Sequence, residues 1–354
     1  MSAAVSTRLL PEPEYPEWNR LVTRSAEGSV YSQPEYLDAL CEAAGGRFRI
    51  LAAQKGDELA GGIALYERGS GSAAHVGPRL LLYYNGIVLR PYETRYPSER
   101  TARRNEILKA VGAGLSALQY DRIALRCRSP LQDVRALLAL GWTARPQYSY
   151  VVPLADLERL RARMEGNLRR LVDRCAAQNL AVTEDDDFDA FFRLHAQVHE
   201  RKGARLYLPE AAFRRFFERL RARGLARLFH ARLPGGQSIS AQLVLTGSHP
   251  VSHTAAAGAD AAHLRLGATA FLRWEVFRRL AAQGIAANDL TDAALNPVTH
   301  FKAQLGGDLE MCLWLEAPGS ARFRAARAGR EVADLARSTL RAATRRVRRL
   351  RRRT

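Results

Sequence analysis

"LARLFHARLPGGQSISAQLVLTG", residues 225–247, decides the fold. An apolar run, a Gly-Gly turn and a second apolar run read as a β-hairpin. The same layout stands at 48–68, "FRILAAQKGDELAGGIALYER". The elements after the two hairpins also match. In the first half a helix at 100–120, "RTARRNEILKAVGAGLSALQY", leads into "DRIALRC"; in the second, "LGATAFLRWEVFRRLAAQG" at 266–284 leads into "IAANDLT". A short helix then reaches a Leu-Gly step, "VRALLALGW" at 134–142 and "HFKAQLGG" at 300–307, and each half closes on a strand, "YSYVVPL" and "EMCLWLE". A period of roughly 170 residues is too long for a solenoid and indicates a duplicated domain. Each half reads strands, helix, strand, helix, strand, an α/β (α+β mixed) pattern. The expected division is 1–153, 154–319 and a tail at 320–354, with one charged helix over 154–180 following the join.

The hydrophobic fraction of 47% supports a buried core. No apolar run is long enough for a membrane span. Pro11 and Pro13 interrupt the N-terminal stretch, so no secretion signal is expected. Cys41, Cys127, Cys175 and Cys312 are widely spaced, which favours reduced thiols in a cytoplasmic protein over a disulfide or metal framework. The net charge is +18, and all but four of the cationic residues are arginines. Residues 320–354 hold 13 arginines against Glu331 and Asp334. Apolar residues recur there every three or four positions, the pattern of an amphipathic helix with a basic face. Residues 331–354 are therefore expected to dock on an anionic membrane surface, with RNA phosphates or plain solvation as alternatives. Nothing points to DNA.

Five further stretches succeed one another in order. "VYSQPEYLDAL" (30–40), "NLRRLVDRCAAQNLAV" (167–182), "VHERKGARLY" (198–207), "RLGATAFLRWEVFRRLAAQGIAANDLTD" (265–292) and "HFKAQLGG" (300–307) together resemble the FemABX group, FemAB-like acetyltransferases with a duplicated GNAT fold. The resemblance covers about residues 28–318. It implies two tandem GNAT-like domains packed around a shared cleft. It also implies an acyl donor, acyl-CoA or another activated acyl group, held at a splayed strand pair and a helix N-terminus, where free N–H groups and the helix dipole bind phosphate. The implied donor-binding residues are Leu243, Val244, Arg265, Leu266, Gly267, Ala268 and Thr269. Lys302 is implied as a catalytic electrostatic anchor and Asp289 as an acceptor of the amine proton. Arg201, Arg205 and Phe301 would bind the acceptor. No metal and no permanently bound cofactor is expected. The chain departs from the group at Leu264, where Gln or Arg is usual three residues before the glycine. It departs again at Asp289-Leu290-Thr291, where Asp-Phe-Gly is usual, and near Leu40, where a lysine is common in peptidoglycan-type members.

The first copy reads as chemically silent. Its segment at 91–104 has no glycine, and Leu137 stands where the second copy has Lys302. The expected function is N-acyl or aminoacyl transfer from acyl-CoA, an acyl carrier protein or aminoacyl-tRNA to an amine of a peptidoglycan or polysaccharide precursor. The enzyme is expected in the cytoplasm, peripheral on the inner membrane face. Two alternatives are a non-catalytic membrane- or RNA-binding protein on a degenerate GNAT fold, and an acyltransferase for a small soluble amine. His195 and His199 lack a third metal ligand and read as ordinary histidines. "VGAGLSAL" (111–118) lies inside a helical pattern and does not follow a strand, so it is no dinucleotide loop.

Overall fold

The structure, a computed structural model, describes residues 4–320 and Phe323. The docking role expected of residues 331–354 lies outside the described residues. The first half runs β1 (Val5–Leu9), α1 (Tyr15–Arg24), α2 (Pro34–Ala44), β2 (Arg47–Lys55), β3 (Glu58–Arg68), β4 (His75–Val76), β5 (Val88–Leu89), α3 (Pro97–Ala117), β6 (Arg122–Cys127), α4 (Arg135–Leu138) and β7 (Thr143–Pro153). The second runs α5 (Leu157–Arg163), α6 (Gly166–Ala177), β8 (Ala181–Glu184), α7 (Phe188–Arg201), α8 (Glu210–Ala222), β9 (Ala226–Arg232), β10 (Ser238–Leu245), β11 (Val251–Ala259), α9 (Ala268–Ala282), β12 (Ala287–Asp289), α10 (Pro297–Ala303) and β13 (Asp308–Glu316). The single helix expected over 154–180 is two helices. Met164 turns to extended backbone (ψ 142°) and Gly166 opens the second.

The strands form one sheet in the order β1-β2-β3-β4-β6-β13-β7-β12-β11-β10-β9-β8, with β5 on β3. Its centre is an exchange. β7, the last strand of the first half, lies between β12 and β13 of the second. β13, the last strand of the second half, lies between β7 and β6 of the first. With the division expected at Pro153, each half lends the other its final strand in space. β7 and β13 pair from Thr143↔Glu316 to Val151↔Asp308, the middle of the whole molecule.

One hydrophobic core spans both halves: Trp18, Tyr36 and Leu40 of the first are continuous with Phe191, Phe213 and Phe216 of the second. Tyr36 meets Phe216 edge-on at 5.7 Å, a geometry that adds to their area burial. In the second half α7 packs on β10 and β11 from one side. At Gly258 a Cβ would lie 2.4 Å from the Leu194 backbone, so only glycine admits that approach. α9 packs across β9 and β10 on the opposite face, with α6 beside it.

Candidate active site

β11 and β12 run parallel for three residues, Val251–His253 against Ala287–Asp289, and then part. β11 continues alone against β10, where the partner of β10 jumps from Ala256 to Thr254 and leaves Ala255 as the unmatched residue of a bulge. Bulges re-aim a strand and its side chains. The splay thus opens at β11. Leu243 and Val244, expected as donor contacts, are one strand away. They are buried in β10 with ladder partners on both sides, so their backbone groups are already engaged and face no ligand.

After Asp289 the chain makes a sharp turn in which Thr291 (φ 47°) and Asp292 (φ 58°) are both left-handed, a costly conformation for residues with a Cβ. Lys302 holds this turn. Its ammonium donates to the carbonyl oxygens of Thr291 and Asp292, the latter at 2.8 Å. An ammonium has three donors, so one remains for a ligand. The lysine is aimed by α10, a short helix with Pro297 at its first position and Asn296 as cap. The Asn296 side-chain oxygen accepts from the N–H groups of Val298 (2.9 Å) and Thr299 (3.0 Å). Burial, and then the nearby Arg273 charge, lowers the Lys302 pKa to about 8, so the ammonium form still dominates at neutral pH.

Lys302 lines a cavity of about 830 Å³ between the halves. The first half supplies Tyr31, the segment 78–83 and Arg126; the second supplies Lys202, Tyr207, Ala255, Thr291, Asp292 and the start of α10, with Trp314 from β13. Four cations, Arg79, Arg126, Lys202 and Lys302, face one carboxylate, Asp292. Arg126 stacks 3.9 Å over the Tyr83 ring and approaches Asp292 at 3.7 Å. Such a chamber suits an anionic ligand with a planar or apolar part.

Asp289 lies just outside the lining, 1% exposed. It accepts from Tyr84 Oη (2.8 Å), the Ser149 hydroxyl and the Thr291 N–H (2.7 Å). With its oxygens so engaged, it braces the turn that Lys302 reads rather than meeting a substrate. His253 Nδ1 comes within 3.7 Å of Asp289. Burial holds that imidazole well below its ordinary pKa, so the approach is that of a neutral ring.

The remaining expected residues are dispersed. Phe301 is partly buried and packs against the core cluster that holds the apolar residues of α9. Arg201 donates to the Ala259 carbonyl at 3.1 Å from an exposed position, and Arg205 is exposed. Neither lines the cavity; Lys202 and Tyr207, from the same segment, do. Gly267 (φ 86°) begins α9, and a Cβ there would lie 2.7 Å from Leu171 of α6. Arg174 of α6 donates to the carbonyls of Arg265 (2.5 Å) and Leu266 (2.9 Å). Ala268 is buried, and Thr269 Oγ1 lies 3.4 Å from Ser240 Oγ. The turn at 265–267 is thus partly covered by α6. Two sequence signals mark the residues that do line the cavity: Lys202, one of four lysines in a chain rich in arginine, and the aromatic Tyr207 five residues on.

Two halves that exchange their final strands around a basic cleft have the tandem GNAT fold. Residues 158–303 match the family model described as "Acetyltransferase (GNAT) domain", so the second half carries a GNAT acetyltransferase domain. Among solved structures the chain is similar to FemX, at 13% identity and a TM-score of 0.70 over 88% of this chain and 96% of that one. It is also similar to the C-terminal domain of a putative lysylphosphatidylglycerol synthetase from Agrobacterium fabrum (12%, TM-score 0.56, 89% and 95%). A third likeness is to a tandem GNAT protein from the clavulanic acid biosynthesis pathway (14%, TM-score 0.52, 89% and 99%). At these identities the likeness is one of fold. No curated protein matches the chain.

Proposed function

We propose that this acyltransferase moves an acyl or aminoacyl group from an activated donor, a coenzyme A thioester, an acyl carrier or an aminoacyl-tRNA, to an amine on an anionic cell-envelope precursor of peptidoglycan or polysaccharide type. The observation that carries this reading is the cavity between the halves, with Arg79, Arg126, Lys202 and Lys302 set against Asp292 alone. One structural neighbour is a putative lysylphosphatidylglycerol synthetase domain, whose named product joins a lysyl group to an anionic lipid. That name supports an anionic acceptor. The arginine density of residues 320–354 supports work at an anionic membrane surface.

In this mechanism the acceptor amine attacks the acyl carbonyl carbon. A C–N bond forms, the carbonyl oxygen becomes an oxyanion, and the C–S or C–O bond to the carrier then breaks. The free donor of Lys302 stabilises the oxyanion or the acceptor's phosphate as a fixed positive charge. Asp292, on the cavity wall, takes the amine proton, and the departing thiolate or alkoxide is protonated in turn. Asp289 acts through the turn it braces. Holding both reactants in one cleft supplies much of the rate.

The test is transfer measured with labelled acetyl-CoA and with aminoacyl-tRNA against matched amines that carry or lack a phosphate group. The reading expects transfer to the phosphate-bearing amine at least tenfold above the neutral one. Equal transfer to both, or none from any donor, overturns it.

A further inference from the structure

α9 lies over β9 and β10 rather than over β11. Because β12 is parallel to β11 and α9 connects them, α9 runs against β11 and therefore alongside β10 in the same direction. Ser240 of β10 and Thr269 of α9 meet at 3.4 Å and fix the register between them. Two residues along the strand stands Gln242; one turn along the helix stands Arg273. Each continues the same face of its element, so both enter the layer between helix and sheet. Ala257, the ladder partner of Gln242, is small and partly exposed there, on the stretch of β11 that β12 has left.

Both residues are orphaned. Gln242 is 1% exposed, and neither its amide nitrogen nor its amide oxygen has a hydrogen-bond partner. Arg273 is 7% exposed, its Nε and Nη1 have none, and no ion pair among the described residues includes it. A buried charge is ordinarily paired, because desolvation without a partner is heavily unfavourable. Burial lowers the Arg273 pKa only to about 10, so the guanidinium stays charged at neutral pH. Its electrostatic neighbour is Lys302, another cation. With a cation for its charged neighbour and no carboxylate paired to it among the described residues, Arg273 lacks the anionic partner that a buried guanidinium calls for.

We infer that Arg273, with Gln242 beside it, is a receptor for an oxyanion of the activated donor, at the end of the β11 splay nearest Lys302. Naming the donor rests on the transfer reading above; the anion site itself does not. The shared chemistry is a carboxylate or phosphate that meets the unsatisfied N–H groups of the guanidinium, while the amide completes the shell. Its source is either a phosphate of the donor's carrier portion or a carboxylate at the far end of the acyl group.

The experiment compares full-length wild type with Arg273→Met by thermal melting and calorimetric titration. The probes are inorganic pyrophosphate, succinate, coenzyme A, acetyl-CoA and succinyl-CoA. Wild type is expected to melt higher with at least one probe, and Arg273→Met to bind that probe at least tenfold more weakly. Without any probe, Arg273→Met should melt at or above wild type, because an unpaired buried charge has gone. Stabilisation by pyrophosphate and coenzyme A assigns a phosphate. A tenfold preference for succinyl-CoA over acetyl-CoA, lost in the variant, assigns an acyl carboxylate. If Arg273→Met does not fold, Arg273→Lys gives the same readout, since an ammonium lacks the fork. Three outcomes overturn the inference: a wild type that no probe stabilises, variant affinities equal to wild type, or an Arg273→Met protein that folds but melts lower without probes. None of these readouts needs turnover, so a failed transfer assay leaves them intact.

Discussion

Tyr84 of the first half donates its phenolic proton to Asp289 of the second at 2.8 Å, with both side chains buried. The bond ties the first half to the turn that Lys302 holds. Tyr84→Phe removes the donor and leaves a carboxylate oxygen under-satisfied. The expected loss is about 1–3 kcal/mol of stability by denaturant titration, with turnover falling more than donor affinity. An unchanged midpoint and unchanged turnover would show that the bond carries neither role.

Lys302 sets a pH dependence. Its folded pKa of about 8 lies below the 10.5 of an unperturbed lysine. The unfolded chain therefore binds more protons between those values, and this group's contribution to stability rises with pH across that window. In the proposed mechanism the ammonium is the working form, so turnover runs the other way and should fall as pH passes about 8. Lys302→Arg, whose charge persists, should move that alkaline fall upward even at lower peak activity. Lys302→Met should reduce turnover at least a hundredfold. An alkaline limb identical in wild type and Lys302→Arg would assign it to another group.

Gly267→Ala should destabilise by about 1–3 kcal/mol through its left-handed φ and its contact with α6. Adding Leu171→Ala removes the contacts to Cδ2 (2.9 Å) and Cγ (3.0 Å) but keeps the Leu171 Cβ at 2.7 Å and the backbone strain, so the double variant should recover only part of the loss. Full recovery in a double-mutant cycle would show that the φ value costs nothing here.

Deleting the chain after Ser320 keeps β13 and should leave the melting temperature within a few degrees of the full chain. Binding to vesicles containing anionic lipid should drop sharply, and the full chain's binding should weaken with salt. Sedimentation with anionic and with neutral vesicles measures this; equal binding by both proteins sinks the membrane role of the tail.

Much of the fold is legible because two copies of one pattern sit in one chain. The hairpins at 48–68 and 225–247, the helices after them and the Leu-Gly steps each show a period or a turn residue. β11 does not. "VSHTAAAGA" is rich in alanine and glycine, residues depleted in strands, so its composition does not mark it as a strand and the expected donor contacts fall on β10 instead. Ala255 in this stretch lines the cavity, and Ala256 is buried in the core. Lys302 is legible from the comparison with Leu137. Its partners are not, since the carbonyls of Thr291 and Asp292 turn toward it only after two left-handed residues. The exchange of β7 and β13 is invisible as well, because either closing strand suits either sheet by composition.

That exchange bears on how the molecule comes into being. Arg122 and Glu316 are bonded neighbours 194 residues apart in sequence. Until the last strand emerges from synthesis, β6 is an unpaired sheet edge, the kind of surface that recruits other chains. Closure over so long a separation is slow. A covalent fusion ensures that the missing strand always arrives, in one-to-one supply, on the same polypeptide. Two separate subunits would leave that edge waiting for a collision.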